Sequence, residues 1–311
     1  MTTRSATREE YGNTLLALGK KNDNIVVVGG DLNKSTFIHL FAEEFPERFF
    51  DLGPAEQNMM SVAAGLASSG KIVFASTFAV FGSGRPYDQV RLGISQPNLN
   101  VKIVVTHAGI MTGDDGMSAQ SIEDLSLMCA LPNFTVIVPA DGPETVRAVT
   151  QAVENYGPFY IRLSRAATPV IHNDDYSFKI GKAETIRIGK QASIIACGIM
   201  VDAAIKASDS LLTDGVDCGV INMATLNPAD KESIIQAARS TGAIVTAEEH
   251  LRHGGLSSIV AQTLSENHPV PVETVALTGY AESGDPNQLL EKYGLTPEKI
   301  SEAVLRAIDR K

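Results

Sequence analysis

Five short apolar runs in the first half of the chain are rich in β-branched residues and do not alternate with polar ones: Ile25–Gly30, Ile72–Thr77, Val101–His107, Thr135–Ala140 and Phe159–Ser164. Strands buried on both faces carry this signature, whereas half-exposed strands alternate. Between the runs lie helical segments at Asn58–Ser68, Glu123–Ala130 and Pro143–Glu154, the last introduced by the cap-and-proline signal DGPE. Strand and helix in alternation predict a mainly parallel α/β sheet. From Ala167 to about Gly189 the pattern loosens into Pro, Asn, Asp and Gly among short polar stretches. A second series follows, with strands expected at Ser193–Gly198, Cys218–Asn222, Ala243–Glu249 and Val272–Leu277. Its helices are expected at Met200–Leu212, Ser233–Ser240, Leu256–Asn267 and Pro297–Asp309. The fold class predicted is therefore two successive α/β domains, over 1–170 and 191–311, with a linker over 171–190.

Composition narrows the function classes. The 311 residues are 44% hydrophobic and 20% charged, as in ordinary folded proteins. Lys and Arg number 26 against 36 Asp and Glu, a net charge of −10, which argues against nucleic acid as a partner. No apolar run approaches the ~20 residues of a membrane helix. The opening segment MTTRSATREE lacks the apolar core of a secretory signal, so a cytoplasmic location is expected. Cys129, Cys197 and Cys218 lie far apart and are odd in number, which reads as three reduced, buried thiols rather than a disulfide framework or zinc site.

Open parallel sheets place ligands at the carboxyl ends of their strands. Polar or conformationally special residues stand there in this chain: Asp31, Leu32 and Ser35 after the first run, then Phe78 and Phe81 after the second, then His107 and the turn GDDG containing Asp115. Glu56 precedes a helix, Arg165 follows the Phe159–Ser164 run, and Arg8 lies near the start. Each has an ordinary structural reading when taken singly. Glu56 suits the positive end of its helix, Phe78 and Phe81 suit one face of a core, and the arginines suit the surface.

Their joint order is more specific. ATREEYG, GGDLNKS, FFDLGPAEQNM, ASTFAVFGSGRPYDQVR, THAGIMTGDDG, ALPNFTVIVPAD and GPFYIRLSR together resemble the C-terminal half of transketolase, most closely the small subunit of transketolases encoded as two chains. The resemblance spans essentially the whole chain. It implies a pyrimidine-binding domain followed by a transketolase C-terminal domain, and reversible transfer of a two-carbon ketol unit from a ketose to an aldose through thiamine diphosphate. On this resemblance Glu56 hydrogen-bonds N1′ of the cofactor's aminopyrimidine and is the catalytic residue. Asp31, Leu32, Phe78 and Phe81 line the cofactor, with Phe81 as the stacking partner. Arg8, Ser35, His107 and Arg165 grip the phosphate of a sugar phosphate, and Asp115 contacts a substrate hydroxyl. Two related thiamine enzymes share this half: 1-deoxyxylulose 5-phosphate synthase, and the β subunit of the decarboxylating component of 2-oxo-acid dehydrogenases. The alternative of another class is a non-catalytic regulatory or scaffold paralogue, against which the intact Glu56 and Phe81 count.

Two departures qualify the resemblance. Ala119 stands where transketolases usually carry a histidine that contacts the sugar. The GDG…N stretch through which thiamine enzymes bind Mg²⁺ and diphosphate has no match, so no metal ligand is expected from this chain. The resemblance therefore implies a partner, an N-terminal transketolase subunit, in an α2β2 heterotetramer acting on sugar phosphates of the pentose phosphate pathway. The segment EEH…RHGG over Glu248–Gly255 reads as domain packing and interface rather than as a metal site.

Overall fold

The buried β-branched runs form strands in both halves. The computed structural model describes residues 3–173 and 175–311; Met1, Thr2 and, within the stretch 171–190, Asp174 lie outside it. The first half carries β1 (Arg4–Ser5), β2 (Ile25–Gly29), β3 (Phe49–Asp51), β4 (Ile72–Phe78), β5 (Val101–Thr106), β6 (Thr135–Ile137), β7 (Phe159–Arg162) and β8 (Thr168–Pro169). The second carries β9 (Glu184–Arg187), β10 (Ala192–Ala196), β11 (Cys218–Asn222), β12 (Thr225–Asn227), β13 (Ile244–Leu251) and β14 (Val272–Leu277).

Among the described residues these strands form a seven-stranded sheet in the order β12-β6-β7-β5-β4-β2-β3, a five-stranded sheet in the order β14-β13-β10-β11-β9, and a small β1–β8 ribbon. Both larger sheets are parallel except at one edge, where β12 runs antiparallel to β6 and β9 antiparallel to β11. The chain leaves β2 toward β3 and returns on β2's other side as β4. This reversal opens a crevice at the carboxyl ends of β2 and β4, where open α/β sheets bind ligands. Two of the helices start behind acidic caps: Asp141 accepts from Glu144 N (3.0 Å) ahead of helix Gly142–Glu154, and Asp230 accepts from Ser233 N (3.3 Å) ahead of helix Lys231–Thr241. No helix of the described residues is long and apolar enough to cross a membrane. The three cysteines are free, and burial pushes the Cys129 and Cys218 thiols up to about 12.

Three local expectations need correction. The run Thr135–Ala140 stops being a strand at Ile137, because Val138 N donates to Ala224 O (2.7 Å) and Val138 O accepts from Gly198 N (3.2 Å), both in the second half. The strand β12 was not expected at all; it is three residues from the second half that complete the edge of the first sheet. Within the stretch expected as a linker, Glu184–Arg187 is β9 of the second sheet. One apolar cluster also runs across the boundary, with Val136 and Val138 packed in the same group as Ile195, Cys197, Ile221 and Met223.

A buried polar knot fastens the connecting stretch to both halves. Asp141 Oδ2 accepts from Ile171 N (2.7 Å) and His172 N (2.8 Å), while the His172 ring lies between Asp141 (2.9 Å) and Glu184 (2.8 Å). Behind it, fully buried Glu144 accepts from Ala140 N, Tyr176 Oη and Asn222 Nδ2. Burial opposes charge on the imidazole, but the hydrogen bonds to Asp141 and Glu184, with the charges of Glu144 and Asp141, push His172 up to about 10. A folded-state value above the unfolded ~6.5 means that this contribution to stability is complete below pH 6.5 and disappears as pH rises through 10. The stability difference between the natural protein and His172→Gln, read by urea unfolding, is predicted to be largest near pH 6 and to shrink steadily toward pH 10. A difference that stays constant over that range would mean that His172 is held neutral.

Candidate active site

The crevice is built from the loops after β2, β4 and β5. The turn after β2 is tight: a Cβ at Gly29 would lie 2.3 Å from Asn33 Oδ1, and Asp31 adopts φ 68°. Asp51 at the end of β3 holds this turn, accepting from Asp31 N (3.1 Å), Asn33 Nδ2 (2.6 Å) and Gly53 N (3.0 Å). Asp31, Leu32 and Ser35 line an open cleft of about 430 Å³ together with Asn33, Lys34 and His39. A Cβ at Gly30 would lie 3.3 Å from Met59 Sδ of helix Glu56–Ser68 and 3.6 Å from Thr77 Oγ1 of β4, so the end of β2 packs close to both elements. The Thr77 hydroxyl is buried without a hydrogen-bond partner.

Glu56 is the first residue of its helix and only 5% exposed. Its Oε1 accepts from Arg85 Nη1 (3.0 Å), and among the described residues no donor reaches Oε2. Arg85 lies 4.1 Å over the Phe81 ring; Phe81 stacks on Phe78 (5.9 Å, 15°), and Phe78 stacks on His107 (3.7 Å, 20°). Guanidinium, two phenyl rings and an imidazole thus form one continuous column from Glu56 to His107. Aromatic stacking and cation–π contact each add roughly 0.5–1.5 kcal/mol beyond area burial.

The far end of the column is cationic. His107 sits at φ 57° directly after β5, with Nδ1 2.8 Å from Thr106 Oγ1 and its carbonyl accepting from Thr112 Oγ1 (2.6 Å). Arg165 donates to Thr112 O (2.9 Å), and Arg8 donates to Ser35 O (3.0 Å). Neither arginine forms an ion pair among the described residues, and the buried Arg8 Nε has no acceptor. Burial, together with the charges of Arg8 and Arg165, presses His107 down to about 3. Burial and Arg165 likewise lower Arg8. Two guanidiniums, a neutral imidazole and an orphaned donor make a ready seat for an anion.

The structure therefore stacks Phe81, Phe78 and His107 in sequence, links Glu56 to Phe81 through Arg85, gathers Arg8 and Arg165 around His107, and brings the Ser35 carbonyl to Arg8. Asp115 is exposed at the end of the turn Ile110–Asp115, and among the described residues no hydrogen bond or ion pair ties its carboxylate to the column. Ala119 is buried at 8% exposure. Sequence reasoning missed Arg85, although it lies in the quoted run GSGRPYDQ. A basic residue beside proline carries no periodic signal, and only the fold shows that it bridges Glu56 and Phe81. No cluster of three or more His, Cys, Asp or Glu able to hold a metal ion occurs among the described residues.

Two family models match the chain: the transketolase pyrimidine binding domain over residues 4–170 and the transketolase C-terminal domain over 181–300. A Methanocaldococcus jannaschii protein described as a transketolase C-terminal section is 41% identical over 311 residues, covering 97% of this chain and 96% of that protein. The 6-deoxy-6-sulfo-D-fructose transketolase subunit SqwH of a Clostridium species is 39% identical over 305 residues, covering 98% and 95%. Among solved structures, a split-gene transketolase described as an inactive beta4 tetramer superposes with TM-score 0.92 at 49% identity, covering 98% of this chain and 99% of that one.

The electrostatics of the cationic corner can be checked in the free chain. NMR of the histidine rings should show His107 neutral from pH 8 down to pH 5, consistent with a value of about 3, and Arg8→Ala should raise that value. A His107 that titrates near 6.5, the ordinary value, would show that neither burial nor the arginines act on it.

Proposed function

Because the chain belongs to the transketolase family, matching C-terminal subunits of its split members, we propose that it is the C-terminal subunit of a two-chain transketolase. The reaction is reversible transfer of a two-carbon ketol unit from a ketose to an aldose, in the thiamine-diphosphate-dependent manner of the family. The observation that carries this reading is the buried Glu56 carboxylate at the head of the Arg85–Phe81–Phe78–His107 column.

The crevice has the donor set that an aminopyrimidine needs. It offers an aromatic face at Phe81, a buried carboxylate at Glu56 and an unpartnered hydroxyl at Thr77. When bound, thiamine diphosphate supplies the electron sink for breaking and remaking the C2–C3 bond of a ketose. Arg85 holds Glu56 Oε1, which leaves Oε2 to hold a proton at N1′ of the ring; this is the acid–base contribution of the chain. Phe78 and Phe81 keep water from that proton and fix the ring plane, while Asp31 and Leu32 border the cofactor from the β2 loop. Asp115 is assigned to a substrate hydroxyl. We assign Mg²⁺ and the diphosphate grip to an N-terminal partner subunit, in an α2β2 assembly, and place the protein in the cytoplasm.

Arg8, Arg165, His107 and Ser35 would bind the terminal anion of the sugar. Guanidinium forks suit a phosphate and equally suit the sulfonate implied by the name of the Clostridium relative. The buried Ala119 in place of the usual histidine removes a contact at the reacting end, so the terminal anion takes a larger share of recognition.

The reading is tested by assaying ketol transfer from xylulose 5-phosphate to ribose 5-phosphate with the chain alone and with its N-terminal partner. Activity is expected only from the pair, and full activity from the single chain would overturn the assignment of two subunits. In the pair, Glu56→Gln should lower turnover by about 10²–10⁴, the usual contribution of a positioned acid–base group, and slow exchange of the thiazolium C2 proton. Unchanged exchange would return Glu56 to a helix-terminus role.

Arg165→Ala should raise KM for a phosphorylated ketose by at least ~10-fold, or about 1.4 kcal/mol, with a smaller effect on hydroxypyruvate, which has no phosphate. Steady-state kinetics on that matched pair of donors decides it. Equal losses for both would mean that Arg165 supports the fold.

A further inference from the structure

Glu249 belongs to β13 in the second half of the chain, yet its carboxylate is spent on the first. It is 4% exposed, and its Oε1 accepts from Met111 N at 2.7 Å, 138 residues earlier. The amide of Ile110 faces the same carboxylate. Gly109, at φ 74°, is pressed against it so closely that a Cβ would lie 2.1 Å from Glu249 Cδ. Burying a carboxylate costs free energy unless it is hydrogen-bonded, and here the donors are the first amides of the turn Ile110–Asp115. Burial raises the Glu249 carboxyl to about 7, while Arg162 and the Met111 amide act in the opposite direction.

The turn that Glu249 holds is the one on which the cationic corner rests. Thr112, next to Met111, accepts from Arg165 through its carbonyl and donates to the His107 carbonyl through its hydroxyl. Two more contacts from the second half reach the same loop: Ser283 Oγ donates to Asp114 O (2.6 Å), and Gln120 Nε2 donates to Glu282 O (3.1 Å). Those two bear on the loop's outer end, whereas Glu249 bears on the residues beside Thr112.

We propose that Glu249 is a positioning residue, which holds the loop Gly109–Gly116 from the second domain and through Thr112 sets the placement of Arg165 and His107. This rests on the transketolase reading for its kinetic consequence but not for its structural one. It gives the second domain, which contributes no group to the column, a part in substrate recognition.

Glu249→Gln keeps the shape of the side chain but offers one carbonyl oxygen and one N–H₂ to two backbone donors. In the free chain, hydrogen exchange at the Ile110 and Met111 amides should rise at least ~10-fold, the loss of one charge-assisted hydrogen bond, while amides of β13 stay protected. In the reconstituted pair, KM for the phosphorylated ketose should rise about 5–10-fold, with thiazolium C2 proton exchange unchanged because Glu56 and Phe81 lie outside the loop. Glu249→Asp, which retains the charge, should recover part of the loss. Unchanged exchange at Met111, or equal impairment of KM and C2 proton exchange, overturns the proposal. If the natural pair shows no ketol transfer, the transketolase reading falls while the amide measurement still decides the role of Glu249.

Discussion

Arg162 is the charge around which the two halves close. It stands on β7, 6% exposed, with Nε on Asp124 Oδ2 (2.9 Å) and Nη2 shared between Ser121 O (3.1 Å) and Glu249 O (3.0 Å). Tyr160, two residues earlier on the same strand, donates to the same Asp124 oxygen (2.8 Å). Burial works to lower the guanidinium's affinity for its proton, but Asp124 and Glu249 outweigh it and hold the value above the ordinary one. A buried charge stripped of its partner costs several kcal/mol. Arg162 therefore requires that helix Asp124–Cys129, the Ser121 loop and β13 all be in place together. The loop of the cationic corner is caught between these elements, so its shape follows from how the halves meet.

The column from Glu56 to His107 is held together differently. Its members are individually modest contacts, each made with the next in line. Arg85 serves both ends of one requirement, neutralising the Glu56 carboxylate while lying flat on Phe81. At the other end burial, helped by the charges of Arg8 and Arg165, holds the His107 ring well below the usual imidazole range. The crevice thus separates a buried carboxylate from a cationic corner across one stack of rings.

Much of this was legible in the order of residues. The capped helices Gly142–Glu154 behind Asp141 and Pro297–Asp309 behind Thr296 are legible to within a residue, because a cap is a local signal, whereas the short helix Pro286–Lys292 behind Asp285 is not. The long β-branched runs were equally plain, since burial on both faces leaves no alternation. What escaped depends on a distant partner. The run Thr135–Ala140 is apolar throughout, yet Val138 bonds to Ala224 instead of to a neighbouring strand. Thr225–Asn227 sits in the turn-like stretch ATLNPAD and becomes a strand only because β6 presents an open edge. Arg85 and Glu249 were invisible for the same reason: a charged side chain does not announce which oxygen or amide it will meet. The segment holding Glu248 and Glu249 was read as packing, and Glu248 does cap helix Leu256–Asn267 through Leu256 N and Ser257 N (2.8 Å each), but its neighbour reaches across the boundary.

The antiparallel strand β12 bears on how this fold can be recombined. Two halves joined by a flexible connector can be exchanged between relatives as interchangeable modules, each folding to the same surface with or without the other. Here the second half donates the edge strand of the first half's sheet, and the chain returns from it to finish its own. A first half severed anywhere in 171–190 and left without a second half would leave one edge of β6 unpaired, the kind of edge that recruits strands from other molecules. A chimera that swaps the second half must bring a β12 matched in register to the resident β6. The natural unit of exchange is the interlocked pair.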